Sequence, residues 1–488
     1  MYELAISLAA VLVFWALAEW RLALLLCLGT AVLQDPLRKL TPDQPVFFVV
    51  LVGAVFVAAC IGALARGTAL APNVLFKRYR QLAAPFLTLL LLIIVQAFNS
   101  YLRFDNPMIP LIGLLTYVLP FTSIVFAYQL VSRQGELSIN RFMKWYVVCI
   151  ALALTTVYFE FSGYDWSILG QVGEKLIIYD EVTGAVLYPS SGSFRASEIA
   201  AWHAMTTACF IVLMTFMQRA TFTRLLISVI VAMLLIAVGL LTGRRKLVVE
   251  LTVFVSTYFI LWIVLERGVG KLAIIAFTGA ALAGYGWLAA ELRDGVSERF
   301  NGESVNYSFY VQRSEGAFQD VPSRFVELGM APIMWAYDSF GVFGAGLGAG
   351  TQGTQHFGGG GDIAAAAEGG LGKITLELGI PGLFVMGWFA ILLFRYLWRI
   401  MQAASRHSVR MGRLSFGLFS FLVANLAGFS VATQAYGDLF VLLILSWTLG
   451  FLLAIPALVE REVRDRQLAI FEEPPSIFRP KIEVSSRI

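Results

Sequence analysis

Residues 82–99, LAAPFLTLLLLIIVQAFN, form a predominantly apolar run with no charged side chain. About 20 such residues in a helix span the hydrocarbon core of a bilayer. Backbone amide groups in hydrocarbon must be satisfied within their own segment, and this run is too long and too uniformly apolar for a lipid-facing barrel strand. The stretch therefore predicts a transmembrane helix.

The same pattern recurs along the chain, at 46–65, 109–131, 145–160, 196–217, 223–241, 247–265, 271–290, 376–398, 414–433 and 438–458. A further apolar stretch, Leu4 to Leu33, is interrupted by Glu19, Trp20 and Arg21, so it forms either one long tilted helix or two short ones. The sequence thus predicts an all-α fold, a polytopic membrane helix bundle of 12 or 13 transmembrane helices.

The composition points the same way. Apolar residues make up 58% of the 488 residues and charged residues 14%, against roughly 25% charged in soluble domains. A soluble enzyme and a disordered chain are both excluded. The formal net charge of +4 lies mostly in short loops, which indicates membrane orientation rather than nucleic-acid binding. The four cysteines all lie in apolar stretches and are predicted to be buried hydrophobes: Cys27, Cys60, Cys149 and Cys209.

Clusters of Lys and Arg alternate between successive loops, and short cytoplasmic loops are enriched in these residues. The basic loops carry Arg66 to Arg80, Arg133 to Lys144, Arg219 and Arg224, Arg267 and Lys271, Arg399 to Arg413, and Arg461 to Arg466. Residues 1–458 are therefore predicted to form the transmembrane domain, with extracytoplasmic loops at 161–195 and 291–375. Residues 459–488 would be a cytoplasmic tail.

One loop breaks the alternation. Thr242-Gly243-Arg244-Arg245-Lys246 lies between two apolar runs and is assigned to the outer face although it carries three cations. A charge near membrane depth costs about 2.5 to 3.5 kcal/mol on insertion scales, so it tends to mark a functional site. The alternatives are that the span count slips by one, or that the cations only anchor at lipid headgroups.

The predicted outer loop 291–375 is too long for a passive connection and contains many aromatic residues, which favour a small folded cap over disorder. Apolar residues at helical spacing between Asp320 and Asp338 predict a large, partly helical loop that holds Arg324 on an ordered element.

A glycine-rich run follows, from Gly341 through Gly346 and Gly348 to Gly361. Glycines let backbone approach a ligand closely, and successive amides can form an anion nest. Without a preceding strand, a dinucleotide-binding fingerprint is disfavoured. The alternative is a loop tip with no contact role.

Glu368 lies just before the chain re-enters the membrane. A carboxylate in such a half-dry place can have its proton affinity raised enough for a general base. The alternative is an acid that complements the dipole of a helix beginning near Gly370.

Arg195 is another cation at the predicted outer surface. With Arg244 and Arg324 it could clamp a diphosphate, because the guanidinium fork suits oxyanions. The alternative is that Arg195 pairs with Glu198 one turn away.

The three histidines, His203, His356 and His407, have no partners at metal-ligand spacing, so no metal or other cofactor is predicted.

Three motifs in this order carry a family resemblance: Thr242-Gly243-Arg244-Arg245, Arg324 followed by Phe343-Gly344-Ala345-Gly346-Leu347-Gly348, and Glu377 to Gly382. Over roughly residues 190 to 400 the chain resembles the superfamily of O-antigen ligases and of O-antigen and exopolysaccharide polymerases, membrane glycosyltransferases of the GT-C type. Ligases of that family usually place a histidine before the re-entrant helix, where this chain has Glu368.

The resemblance implies a polymerase that joins oligosaccharide repeat units carried on undecaprenyl diphosphate into a surface polysaccharide. It would act by inverting, metal-independent transfer on the periplasmic face of a bacterial inner membrane. Glu368, Arg244 and Arg324 are the expected catalytic residues, and Arg195, Arg245, Gly346, Gly348 and His356 the expected substrate-binding ones. The expected partners are a lipid-linked glycan donor, a glycan acceptor and membrane lipids. Binding of a chain-length regulator or a flippase is left open.

Three rival functions are also open: an O-antigen ligase that transfers the lipid-linked glycan to another acceptor, a polysaccharide or lipid transporter, and a non-catalytic membrane subunit of an envelope complex. A transporter would more often show paired internal repeats and helices interrupted at mid-membrane.

Overall fold

The structure is a computed structural model. It describes residues 2–173, 177–179, 186–217, 221–266, 317–351 and 368–472, together with 279, 296–298, 304–306, 309–310 and 363.

Helices make up most of the described chain. In order they are α1 (Tyr2–Ala18), α2 (Ala23–Leu40), α3 (Leu51–Ala65), α4 (Asn73–Phe76), α5 (Ala83–Phe104), α6 (Met108–Gln134), α7 (Glu136–Phe161), α8 (Ser197–Met217), α9 (Phe222–Leu240), α10 (Lys246–Leu265), α11 (Ala317–Arg324), α12 (Ala331–Phe340), α13 (Gly370–His407), α14 (Val409–Val431) and α15 (Leu439–Glu472). Among the described residues, 11 helices are long and apolar enough to cross a membrane, and α1 is a shorter apolar helix. The predicted all-α polytopic bundle is confirmed.

The first 40 residues form two helices rather than one. The chain leaves α1 at Glu19, whose φ of −134° is not helical, and a 3-10 turn at Trp20–Leu22 leads into α2. Arg66, which follows α3, connects the end of α1 to α3, because its Nη1 donates to the carbonyl oxygens of Leu17, at 3.0 Å, and Gly62, at 3.1 Å. The predicted span 271–290 lies outside the described residues except for residue 279.

The last helix passes through the predicted boundary between residues 458 and 459. α15 continues to Glu472, and its membrane-length part runs over Leu439–Asp465. The transmembrane helix and the start of the predicted tail are therefore one continuous element.

Two small antiparallel hairpins are the strands of the described chain. β1 (Ile178–Tyr179) pairs with β2 (Val186–Leu187), and β3 (Val296–Glu298) pairs with β4 (Ser304–Asn306). The two predicted outer loops contact each other, because the Tyr310 hydroxyl donates to the Tyr188 carbonyl oxygen at 3.0 Å.

The bundle has two ends, and three ion pairs lie at one of them. At one end, here called the basic end, Arg78 pairs with Glu460 at 2.5 Å, Arg410 with Glu136 at 2.9 Å and Arg413 with Glu266 at 2.7 Å. These residues all belong to loops or helix ends that the charge pattern assigns to one side. The opposite end, here called the loop end, carries the segments around residues 190–198, 241–246 and 432–438. That the basic end faces the cytoplasm stays a prediction.

α8 is the central helix, since 89% of its membrane-length window is buried inside the protein. Its buried Trp202 and Phe210 side chains both contact Phe421 of α14. The N-terminus of α8 opens at the loop end, so the residues just before and after its start occupy the middle of that end.

α13 is broken at Gly379, where φ is +72° and ψ is −175°. The glycine wedge, defined as residues 341–351, fills the break. The Ile380 amide donates to the Val342 carbonyl oxygen at 2.9 Å, and the Ala345 amide donates to that of Leu376 at 2.7 Å. Irregular backbone inside a membrane protein needs such partners, because water is absent.

Candidate functional site

Three of the predicted site residues, Arg195, Arg244 and Glu368, lie on separate segments at the loop end, where Asp438 and Glu198 pair with the two arginines. The loop-end cluster, as we define it, consists of Arg195, Glu198, Arg244, Glu368 and Asp438. Arg195 and Glu198 flank the start of α8, Arg244 lies in the turn from α9 to α10, and Asp438 precedes α15. Glu368 lies two residues before α13.

Arg195 is nearly buried and forms an ion pair with a helix-capping acid. Its Nη2 lies 2.9 Å from Asp438 Oδ2, and the side chains are 12% and 3% exposed. The other Asp438 oxygen accepts the Phe440 and Val441 amides at 2.8 and 3.0 Å and so caps α15. Within the described chain, Arg195 Nη1 is buried without a hydrogen-bond partner. Arg195 therefore does not pair with Glu198, the alternative that its spacing allowed.

Arg244 pairs with Glu198 instead. Its Nη2 contacts Glu198 Oε1, and its Nε donates to Ser197 Oγ at 3.1 Å. Burial lowers the pKa of the Arg244 guanidinium, while the carboxylates of Glu198 and Glu368 raise it. An arginine with such partners stays cationic at neutral pH.

The local sequence explains how the Arg244 turn forms. Thr242 Oγ1 donates to the Gly239 carbonyl oxygen at 2.5 Å and accepts the Arg244 amide at 3.4 Å. Gly243 has a φ of +67°, a conformation that glycine adopts without steric cost. The Ser190 amide donates to the Leu241 carbonyl oxygen at 3.2 Å, which joins this turn to the segment that carries Arg195.

Glu368 is exposed, and its backbone rather than its side chain is fixed. Its carbonyl oxygen accepts the Thr433 amide at 2.8 Å and Thr433 Oγ1 at 2.9 Å. α13 begins at Gly370, as predicted, with Gly369 as N-cap and no side-chain capping bond. The Glu368 carboxylate is close enough to Arg244 to affect its pKa. The sequence placed Glu368 in half-dry surroundings, whereas in the structure its side chain is exposed.

Arg324 ends α11, and its side chain is exposed. α11 packs against α10, and the π-helical turn Phe325–Met330 that follows packs against α13 and α14. The predicted ordered element for Arg324 is thus present, next to α10, which begins at Lys246, and to α13, which begins two residues after Glu368. Arg245, half-buried, is the N-cap of α10.

Gly346 and Gly348 lie in the glycine wedge and approach backbone rather than open space. Their φ angles are +107° and +86°, and a Cβ at Gly346 would lie 2.6 Å from the Ser100 amide nitrogen. A Cβ at Gly348 would collide with the Ile109 carbonyl oxygen. Their predicted role in substrate binding stays a prediction, whereas their packing role is evident. His356 lies outside the described residues.

A buried polar network beneath the cluster is a feature that the sequence reasoning missed. The Tyr436 hydroxyl donates to the Asn425 carbonyl oxygen at 2.8 Å and to Glu250 Oε1 at 3.3 Å, and Trp202 Nε1 donates to Asn425 Oδ1 at 2.7 Å. Burial and the nearby Glu250 carboxylate raise the pKa of Tyr436 well above its usual value, so it remains a donor. The signal was present, because Glu250 is a charge within the apolar run 247–265.

An apolar crevice of about 280 Å³ opens beside this network. It lies between α6, α13, α14 and α15, and its lining includes Ile374, Met386, Leu422, Leu426, Phe429 and Leu445. The polar residues Lys373 and Tyr436 border it. Lys373 lies in the first turn of α13, five residues after Glu368. A hydrocarbon chain fits these walls chemically, with an anionic head near Lys373.

The described residues contain no group of three or more His, Cys, Asp or Glu side chains that could hold a metal ion. No model of a known protein family matches the chain, and no curated protein matches it either.

Proposed function

We propose that the chain is a membrane glycosyltransferase that polymerises oligosaccharide repeat units carried on undecaprenyl diphosphate. The observation that carries the proposal is the loop-end cluster. It brings Arg195 and Arg244 from separate segments to one end of the bundle, with the Glu368 carboxylate near Arg244. The ordered sequence motifs at Arg244, Arg324 and Glu377 to Gly382 favour the same function.

The donor's diphosphate would bind at the arginines. Arg195 has a buried nitrogen without a hydrogen-bond partner among the described residues, which a phosphate oxygen can accept from. Arg244 would exchange part of its contact with Glu198 for the phosphate, since a bidentate phosphate contact is strong. Part of the polyprenyl chain would lie in the apolar crevice, which Lys373 borders.

In the reaction, Glu368 would accept the proton of an acceptor hydroxyl on a second glycan. The hydroxyl oxygen attacks the anomeric carbon from the face opposite the diphosphate. The new glycosidic bond forms as the bond from carbon to diphosphate breaks, so the configuration inverts. The arginines stabilise the charge that develops on the leaving undecaprenyl diphosphate, an effect worth about 3 to 4 kcal/mol per well-placed donor.

The test uses purified protein, lipid-linked repeat units and size analysis of the glycan. Arg244→Ala should lower polymer formation about 100-fold or more, as loss of one such donor does. Glu368→Ala should lower it about 10² to 10⁴-fold, the usual contribution of a general base. Arg413→Ala is the matched control, because it removes a comparable ion pair at the basic end.

Wild-type protein should give a ladder of products. A single size shift would indicate a ligase instead. Unchanged output from Arg244→Ala or Glu368→Ala, at normal protein levels, would remove that residue from the site. Activity that persists in both variants would favour a non-catalytic role for the cluster.

A second candidate, a polysaccharide or lipid transporter, is favoured by one observation, the interruption of α13 at Gly379. The glycine wedge fills that interruption with packed backbone. Reconstitution in vesicles separates the two candidates, because a transporter moves lipid-linked glycan across the bilayer without changing its length.

A further inference from the structure

Lys39, at the end of α2, donates hydrogen bonds from its ammonium group to backbone carbonyl oxygens. Its Nζ lies 2.6 Å from the Phe194 carbonyl oxygen, 2.8 Å from that of Gly192 and 3.3 Å from that of Ile168. An ammonium group has three N–H donors, so these contacts use all of them. Two of the acceptors lie one and three residues before Arg195.

Two carboxylates bind the amide groups of the same segment, whereas Lys39 binds its carbonyl groups. Glu160 Oε2 accepts the Ser191 and Gly192 amides, at 2.9 and 2.5 Å. Asp35 Oδ2 accepts the amide of Arg195 itself at 2.9 Å. The irregular backbone before α8 thus obtains several of its partners from charged side chains of α2 and α7. Its other partners include the Thr156 hydroxyl, the Leu241 carbonyl oxygen and the Val172 amide, which donates to the Arg195 carbonyl oxygen at 2.9 Å.

The position of Arg195 depends on these contacts because Arg195 lies outside any helix. α8 begins at Ser197, so no intrahelical bond fixes the Arg195 backbone. Gly192, three residues earlier, has a φ of +60°, and a Cβ there would lie 2.5 Å from Thr156 Oγ1, so the segment is pressed against α7. A small shift of this backbone would move the guanidinium away from Asp438 and from its place in the loop-end cluster.

We propose that Lys39 is a positioning residue for Arg195, and through it for the diphosphate of the lipid-linked donor. The inference rests on the proposed function, in which Arg195 binds that diphosphate. Lys39 touches neither the donor nor the Arg195 side chain. It sets the backbone from which Arg195 extends.

The probe is farnesyl diphosphate, a short soluble lipid diphosphate, titrated into the purified full-length protein by calorimetry. Lys39→Met should weaken binding tenfold or more. Lys39→Gln should weaken it less, because the amide keeps two donors. Lys39→Arg should keep binding within threefold of wild type. Arg66→Met is the matched control. Arg66 also donates to three backbone carbonyls, those of Leu17, Ala18 and Gly62, but at the break between α1 and α2. The affinity of the Arg66→Met variant for farnesyl diphosphate should lie within twofold of wild type.

A double-mutant cycle separates positioning from a general structural role. Arg195→Gln should itself weaken binding, and adding Lys39→Met to it should change binding less than twofold further, because the residue being positioned is gone. Multiplicative effects would overturn the proposal. So would a Lys39→Met variant that binds as well as Arg66→Met, or wild-type protein that does not bind the probe.

The transferase itself is judged separately, by polymer formation from lipid-linked repeat units. Wild-type protein that binds farnesyl diphosphate but forms no glycosidic bond would contradict the transferase, while the binding ratios still decide the role of Lys39. If Lys39→Met does not survive purification, Lys39→Gln carries the comparison with Arg66→Met.

Discussion

At the level of single residues, the choice of ion-pair partner was the part that sequence could not give. Arg195 and Glu198 are three residues apart, which suggested a pair on one helix face. Because α8 begins only at Ser197, Arg195 is not on that face. Glu198 pairs instead with Arg244, which lies in the turn between α9 and α10. The sequence located these charges at one surface, whereas tertiary packing decided their partners.

The buried network supplies a prediction at this scale. Tyr436→Phe removes the donor to the Asn425 carbonyl oxygen and to Glu250. A buried acceptor left unsatisfied costs about 1 to 3 kcal/mol, so the melting temperature in detergent should fall. Tyr101→Phe, at a side chain that is 45% exposed, is the control and should leave it unchanged. Equal melting temperatures for the two variants would show that the network contributes no stability.

At the level of elements, the helices could be predicted and the break in α13 could not. The apolar run 376–398 identified the span, and Pro381 is compatible with either a kink or a helix start. The break becomes necessary only when the glycine wedge is in place, because the Ile380 amide then donates to the Val342 carbonyl oxygen and the Ala345 amide donates to that of Leu376. Such long-range backbone pairing leaves no periodic pattern in a single sequence.

The break gives a prediction at the element scale. Gly379→Ala puts a side chain at a φ of +72° and drives its Cβ into the Val342 carbonyl oxygen. Strained φ and overpacking each cost about 1 to 3 kcal/mol, so the wedge should be displaced and thermal stability should fall markedly. Gly387→Ala lies in the same helix with nothing within 4 Å of the added Cβ. That control should be neutral or slightly stabilising, and equal losses in both variants would contradict the packing of the wedge.

At the level of the whole molecule, the alternation of basic loops anticipated the two ends of the bundle. Arg78, Arg413 and the tail after residue 458 were assigned to one side. There Arg78 pairs with Glu460, and Arg413 pairs with Glu266, the residue before the basic loop at Arg267. The sequence left the span count at 12 or 13, because the interruption at Glu19 is compatible with one long tilted helix or with two short ones. The structure has two separate helices there, α1 and α2.

Sidedness can be measured by cysteine labelling in intact cells. Asp165 at the loop end and Lys77 at the basic end are both exposed, and three of the four native cysteines are buried. A membrane-impermeant maleimide should label Asp165→Cys from outside and Lys77→Cys only after permeabilisation, because basic loops stay in the cytoplasm. The reverse pattern would place the loop-end cluster in the cytoplasm and would contradict the proposed periplasmic reaction.

The central claim is that the bundle transfers a glycan from a lipid diphosphate to an acceptor hydroxyl. Its most direct test is to incubate the purified chain alone with lipid-linked repeat units and to count both products. The account predicts one undecaprenyl diphosphate released for each new glycosidic bond, with release lost in Arg244→Ala and kept in Arg413→Ala. Glycan of unchanged length with no released lipid diphosphate would contradict it.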